Sequence, residues 1–216
     1  MYVPDPFALH DQAAIADLLR RHSFALLVTA ADGAPQASHL PFLYDPGRGP
    51  KGTLTAHLAR ANPQAAELER LAAEGGAALV VFRGPHAYVS PRWYGAAPAV
   101  PTWNYLAVHA YGTPEIVAEP ARVRAIIERL VEVHESGLAE PWSLDGLTDS
   151  YVSAMLRGIV AFEIPVARLD PKAKLNQNKP AEERLAAAAA LRETGGAQAR
   201  EVAALMESPA LDTKDQ

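Results

Sequence analysis

The 216-residue sequence contains no cysteine. Disulfides, thiolate nucleophiles and cysteine-bound metals are therefore excluded together. Positive charge is also scarce, because 20 lysines and arginines stand against 25 acidic residues and leave a net charge of −5. Nucleic-acid-binding proteins usually carry a basic surface, so direct contact with DNA is doubtful.

Long apolar runs are missing as well. No stretch approaches the roughly 18 uninterrupted apolar residues of a membrane-spanning helix. The first residues, MYVPDPFALHD, have neither the basic start nor the apolar centre of a secretion signal. With 49% hydrophobic and 21% charged residues, the composition is that of an ordinary globular protein. We expect a cytoplasmic protein without membrane contact.

Aromatic residues are only 7% of the chain, yet they concentrate between residues 82 and 112. From Thr102 to Gly112 bulky and small residues alternate, which predicts a strand with two different faces. Trp103 begins an aromatic face that suits a ligand or a second subunit, whereas Leu106 and Val108 belong to an apolar face that suits a core. Simple core or dimer packing explains such clustering about equally well. Asn104 shares the apolar face and needs a polar partner there.

The first half of the chain predicts an antiparallel meander. Strands are expected over residues 24–30, 36–44 and 53–58, with Asp32-Gly33 as a hairpin turn. A further strand should be broken by Gly84-Pro85, and a short β run over residues 87–89 should stop at Pro91, because proline has no N–H for a ladder. The last strong strand spans residues 158–169, and Glu163 within it is expected at a sheet edge. Helices are predicted after Asp11 and over residues 62–74, 119–135, 151–157 and 181–207, the last broken at Gly195-Gly196.

The segment around Asn62-Pro63 is a candidate phosphate site. Asparagine caps a helix and proline fits its first position. Arg60 and His57 stand immediately before this helix start, where unpaired N–H groups attract anions. The plainer interpretation is a cap, a solvated arginine and a structural histidine. A second polar segment, Lys172 to Lys179, is either a surface loop or a donor-rich wall for a polar ring or phosphate.

Several motifs resemble the family of PaiB-type FMN-binding negative transcriptional regulators, which are related to the pyridoxamine-phosphate-oxidase-like split barrels. The resemblance covers nearly the whole chain. Its motifs occur in family order and are MYVPDPF at the start, SHLPF at 38–42, AHLARANPQ at 56–64, GPHAYVSPRWY at 84–94, PTWNY at 101–105 and KLNQN at 174–178. The family usually has serine where Asn176 stands.

This resemblance implies a mainly β, α+β fold, a six-stranded antiparallel split β-barrel with flanking helices. It implies an FMN-binding split-barrel domain over residues 1–179, followed by a C-terminal helical extension and tail over 180–216. It further implies a homodimer with FMN at the subunit interface. By similarity, the residues expected to hold FMN are Ser38, His39 and Leu40 along the isoalloxazine, Thr55, His57, Arg60 and Asn62 at the phosphate, Trp103 and Asn104 from the partner subunit, and Lys174, Gln177 and Asn178 on the polar side.

Three functions follow from these expectations. The first is a regulatory flavoprotein whose FMN biases a conformation that affects transcription indirectly. The second is an FMN-dependent oxidoreductase acting on a small molecule, with the flavin carrying the hydride chemistry. The third is a dimeric interaction module without cofactor. The seven histidines are scattered and none pairs at the i, i+4 spacing of a helical metal site, so no metal is expected. His57 and His109 are possible acid/base groups, but lone histidines are more often structural, and no catalytic residue is assigned.

Overall fold

The computed structural model describes residues 1–30, 33–95 and 98–208 and confirms the antiparallel α+β fold class. Asp32 of the expected hairpin turn lies outside these residues. The helices are α1 (Gln12–Arg21), α2 (Gln64–Glu74), α3 (Pro120–Glu135), α4 (Asp149–Leu156), α5 (Ala181–Thr194) and α6 (Ala197–Met206). The strands are β1 (Phe24–Thr29), β2 (Gln36–Pro41), β3 (Leu43–Asp45), β4 (Thr53–Ala59), β5 (Ala78–Val89), β6 (Thr102–Gly112), β7 (Glu115–Val117), β8 (Ile159–Pro165) and β9 (Arg168–Lys174).

The strands form two sheets. The larger sheet has the order β2-β1-β5-β6-β9, and the smaller has the order β3-β4-β8-β7. In the larger sheet β1 and β2 pair antiparallel from Phe24↔Pro41 to Thr29↔Gln36. In the smaller sheet β4 and β8 pair antiparallel from Thr53↔Pro165 to Ala59↔Ile159. Strand β8 therefore lies inside its sheet, between β4 and β7.

The described residues contain nine strands where six were expected. One cause is the segment 36–44, which forms two strands in different sheets. The break falls at Phe42, which is buried and whose N–H donates to the Ser23 carbonyl at 2.8 Å, one position beyond the Phe24↔Pro41 pair that ends the β1–β2 ladder. Pro41 beside it has no N–H to offer. The sequence signalled the interruption at Pro41 but not the change of sheet.

The expected strand end at Gly84-Pro85 is wrong, because β5 continues through both residues to Val89. A Cβ at Gly84 would lie 3.0 Å from both Leu106 Cβ and Leu18 Cδ1. Glycine therefore relieves crowding against both leucines at this position and does not mark a turn.

The chain forms two compact units. One contains residues 19–82 and 109–169, and the other contains residues 1–18, 83–108 and 170–216. In the first, Phe42 packs edge-on against Phe82 and Phe162, with ring centroids 5.9 and 6.2 Å apart. On the outer face of its smaller sheet, α3 buries Val123, Ile126 and Leu130 in a cluster with Val117 and Ala161.

The second unit contains the two C-terminal helices. Helices α5 and α6 pack through small and apolar side chains that are fully or almost fully buried. The buried set comprises Ala187, Ala188, Leu191, Val202, Ala203 and Met206. Over the residues that the structure describes, no helix is both long and apolar enough to cross a membrane.

Candidate functional site

The start of α2 brings two expected site residues together. Asn62 Oδ1 accepts a hydrogen bond from the Gln64 N–H at 3.0 Å, which is the expected helix cap. The other end of the same amide, Nδ2, donates to Ser38 Oγ at 3.0 Å. Ser38 therefore accepts from Asn62 and keeps its own hydroxyl proton for another acceptor. The side chains of Ser38 on β2 and Asn62 at the start of α2 are therefore in direct contact.

Three buried side chains that sequence reasoning missed fix this helix start. Gln64 Nε2 donates to Thr29 Oγ1 at 3.0 Å and to the carbonyls of Leu27 and Gln36 at 3.3 Å each. Thr29 Oγ1 in turn donates to the Glu67 carboxylate. These bonds tie the first turn of α2 to the β1–β2 pair. The available signal was Gln64 itself, the last residue of the AHLARANPQ motif.

Arg60 lies just before this helix and is held by main-chain carbonyls. Its Nε donates to the Arg157 carbonyl at 3.0 Å, and its Nη2 donates to the Ile159 carbonyl at 2.8 Å. The side chain is exposed, and Nη1 makes no hydrogen bond within the described part of the chain. The two carbonyls orient the guanidinium while leaving one nitrogen for an anion.

Thr55 and His57 lie on another part of the first unit. They pair across β4 and β8 with Glu163 and Ala161, so their side chains share the face that α3 covers. Nδ1 of His57 is buried and has no hydrogen-bond partner among the described residues. Burial lowers the pKa of His57 below its usual value, which favours the neutral ring at pH 7.

His39 and Leu40 are adjacent on β2. His39 is exposed and stacks on Phe24, with ring centroids 5.9 Å apart and planes 25° apart. Leu40 is half-buried and pairs with Ala25 of β1. His39 presents a flat surface of the kind on which an aromatic ring stacks.

In the second unit, Trp103 is the centre of an exposed aromatic patch. Its side chain is 52% exposed. The His86 ring stacks on it and the Tyr88 ring meets it edge-on, each with centroids 6.1 Å apart. Asn104 points the other way and is 0% exposed. Of the two residues expected to reach the flavin of the partner subunit, Trp103 is therefore exposed and Asn104 is buried.

Asn104 lies on the predicted inward face of β6, where its hydrogen-bond partner is a methionine sulfur. Its Nδ2 donates to Met206 Sδ at 3.2 Å, while Oδ1 is buried without a hydrogen-bond partner among the residues described. Thioether sulfur is a weak acceptor, so this amide is incompletely satisfied. An orphaned buried carbonyl oxygen of this kind is a notable exception to normal pairing.

The residues expected on the polar side of FMN, Lys174, Gln177 and Asn178, lie at the end of β9 and in the turn after it. Lys174 Nζ donates to the Trp103 carbonyl at 3.0 Å and to Thr102 Oγ1, so it lies beside the aromatic patch. Burial, and secondarily the charge of Lys172, lowers the pKa of Lys174. Gln177 closes the turn after β9 by accepting from the Leu175 N–H at 2.6 Å and donating to the Ala173 carbonyl. Asn178 is exposed.

Asn176 explains how this turn is built. It has a φ of 63°, in the left-handed region that asparagine tolerates better than most residues. Its Nδ2 donates to the Tyr94 hydroxyl at 3.2 Å.

Glu163 is the main charged residue that the sequence misplaced. It was expected at a sheet edge, but it is 5% exposed on the interior strand β8. Arg48 binds both of its oxygens, at 3.0 and 2.8 Å, and Arg122 binds one at 3.1 Å. The hydrogen bond from Arg48 lowers the pKa of Glu163 despite the burial that opposes it. Residues 48, 122 and 163 are far apart in sequence, so periodicity gave no signal of the cluster.

Comparison with known proteins identifies the family. The family model described as "Putative FMN-binding domain" matches residues 1–168. The chain is 33% identical to the protease synthase and sporulation protein PAI 2 of Bacillus subtilis over 207 residues, covering 96% of this chain and 97% of the relative. It is 32% identical to an uncharacterized protein of Emericella nidulans, covering 79% of this chain and 83% of the relative.

Solved structures support the fold. The FAD and heme binding protein from Mycobacterium smegmatis superposes with a TM-score of 0.58 at 22% identity, covering 82% of this chain and 78% of that one. The flavocytochrome Anf3 from Azotobacter vinelandii superposes with a TM-score of 0.56 at 14% identity, covering 77% of this chain and 69% of that one. At such identities the likeness concerns the fold alone.

The chain belongs to the FMN-binding split-barrel family. Within that family it is of the PaiB type, as its motifs indicated, and FMN is its cofactor.

The described residues fit FMN chemically. A hydroxyl proton and a guanidinium nitrogen are donors that a phosphate requires, and Ser38 and Arg60 retain them, while Asn62 holds the Ser38 hydroxyl in place. The exposed rings around Trp103 offer the flat contact that an isoalloxazine requires.

Proposed function

We propose that this chain is a dimeric regulatory flavoprotein in which bound FMN biases a conformation that affects transcription. Bound flavin would supply reversible hydride or electron transfer. The protein holds the phosphate with Ser38, Arg60 and Asn62 and leaves the surface around Trp103 for the ring and the second subunit. The regulatory part is supported by the 33% identity to the protease synthase and sporulation protein PAI 2, which extends over 96% of this chain.

The observation that carries the flavin site is the preorganised start of α2. Asn62 is bonded at both ends of its amide, and Gln64 anchors the same turn through three acceptors. Preorganised donors lower the entropic cost of binding an anion. The Arg60 guanidinium is likewise oriented before any ligand arrives.

The first prediction concerns Arg60. Arg60→Ala should weaken FMN binding by about 1.5–3 kcal/mol, the range for a hydrogen bond to a charged group. Titration of the apoprotein with FMN, followed by flavin fluorescence, measures the change. Arg200→Ala is a matched control because Arg200 is also exposed and also donates to a main-chain carbonyl, that of Gly195 at 3.1 Å. Wild-type affinity in Arg60→Ala would remove Arg60 from the site.

The regulatory part needs a test in the cell. Deleting the gene should raise transcripts of its target genes, and the wild-type gene should restore them while the Arg60→Ala gene should not. We expect indirect control, since the net charge of −5 disfavours DNA. Saturable binding of the purified protein to a specific duplex at physiological salt would contradict indirect control. If the purified protein sustains NADPH oxidation and the transcripts do not change in the deletion strain, the protein is an oxidoreductase and not a regulator.

A further inference from the structure

A cavity of about 790 Å³ in the first unit is unusually rich in arginine. It lies between α3 and the smaller sheet. Its charged lining residues are Arg20, Arg48, Arg122, Arg129, Asp45 and Glu163. Arginines outnumber carboxylates in this lining, although Arg129 also pairs with Glu132 outside it, in a protein whose net charge is negative.

The buried carboxylate organises two of these arginines. Glu163 occupies Nη1 and Nη2 of Arg48 and Nη2 of Arg122. Nε of Arg48, and Nε and Nη1 of Arg122, make no hydrogen bond in the described part of the chain. Glu163 therefore fixes both guanidinium groups while leaving donors on each of them. An anion would meet positive charge that is already oriented.

The rest of the wall is largely apolar. Leu43, Pro46, Ile126 and Val133 line the same cavity. A fully hydrated inorganic anion gains little from such a wall, whereas an anion with an apolar body buries surface against it. Within the described residues, Thr55 is the one lining residue that also belongs to the expected flavin set.

We propose that this cavity binds a small carboxylate with an apolar body, at a site separate from the flavin. The carboxylate pairs with Arg122 and its neighbouring arginines, and the body packs against Ile126 and Leu43. A ligand there contacts α3 and β8 together and so stabilises the arrangement of helix and sheet. This inference goes beyond the flavin function and does not depend on the regulatory role.

Titration calorimetry of the FMN-loaded protein with phenylacetate tests the proposal, with the uncharged phenylacetamide as the comparison ligand. We expect saturable phenylacetate binding and at least tenfold weaker phenylacetamide binding. Arg122→Gln should weaken phenylacetate about tenfold, while Glu163 keeps its two bonds from Arg48. Arg124→Gln removes the same charge from the same helix but leaves the cavity intact, because Arg124 pairs with Glu128 and Asp149. That control should bind as the wild type does.

Four results would overturn the proposal: no saturable phenylacetate binding, equal binding of phenylacetamide, equal weakening in both arginine variants, or release of FMN by phenylacetate. The last would show that the cavity belongs to the flavin site. Circular dichroism checks that Arg122→Gln is folded. If that variant does not fold, Arg129→Gln takes its place, since Arg129 lines the cavity and pairs with the exposed Glu132. Failure of this test leaves the Arg60 prediction untouched, because that prediction is read from FMN affinity.

Discussion

Glu163 is the buried carboxylate on which two arginines converge. Replacing it by glutamine keeps the shape but removes the charge that Arg48 and Arg122 bind. We expect Glu163→Gln to lower the free energy of unfolding at pH 7 by about 1–3 kcal/mol. Denaturant unfolding measures the loss. Glu128→Gln is the control, because Glu128 forms an exposed pair with Arg124 that solvent screens, so this variant should lose much less stability than Glu163→Gln.

The same prediction has a pH dependence with a definite sign. The pKa of Glu163 is lower in the folded protein than its unfolded-state pKa of about 4.3. The ionised carboxylate therefore stabilises the fold above about pH 4.3, and this contribution is lost as the pH falls through the folded-state pKa. The difference between wild type and Glu163→Gln should therefore shrink below about pH 4.3. A difference that stays constant down to pH 3 would mean that the carboxylate acts through packing and not through charge.

Single residues also show where sequence reasoning stops. Alternation along β6 correctly placed Asn104 on the inward face, and the need for a partner followed from burial. The partner, Met206, lies 102 positions away and has no pattern that would announce it. The expectation that Glu163 lies at a sheet edge was wrong for the same reason. A strand pattern assigns a residue to a face, but it does not identify the neighbouring strands or the arginines beside them.

Helix α2 joins stability to the proposed flavin site through Asn62. Asn62→Ala removes the cap and the bond to Ser38, so we expect a loss of about 1–2 kcal/mol in the free energy of unfolding. Asn62→Asp should retain most of the stability, because aspartate caps as well and can accept the Ser38 hydroxyl proton. It should nevertheless weaken FMN binding, because a carboxylate then stands where we place the phosphate.

Thermal unfolding and FMN titration of both variants separate these effects. If Asn62→Asp binds FMN as tightly as the wild type, the phosphate lies elsewhere and the α2 start is purely structural. If both variants lose equal stability, the bond to Ser38 depends on the amide and the cap alone cannot replace it.

Elements with strong local signals were predictable. The Asp11 cap, the glycine end of α2 and the amphipathic pattern of α3 each arise from residues near in sequence, and the structure has all three. The division of residues 36–44 between two sheets and the passage of β5 through Gly84-Pro85 depend on packing against distant residues. Such tertiary contacts overrode the local signal of Gly84-Pro85, and they decided the change of sheet that Pro41 alone did not announce.

For the whole chain, the motifs indicated the family and fold class, which the structure and the comparisons confirm. The assembly of the flavin site across two subunits stays a prediction. Of the two residues expected to reach across the interface, only Trp103 supports this prediction, because it is exposed, whereas Asn104 is buried against Met206 of its own chain. A ring that lies half exposed beside His86 and Tyr88 has the character of an interface anchor.

If Trp103 is that anchor, dilution that produces monomers should also release FMN, and the two transitions should coincide in concentration. Trp103→Ala should raise the dimer dissociation constant by at least about tenfold, as truncation of an aromatic hot spot does. Sedimentation velocity with parallel flavin fluorescence measures both transitions. Trp142→Ala is the matched control, because Trp142 is 51% exposed, nearly the same as Trp103, yet lies on a loop outside the motifs. A monomer that retains FMN would refute a shared site, and equal effects of the two variants would show that Trp103 has no special place in the dimer.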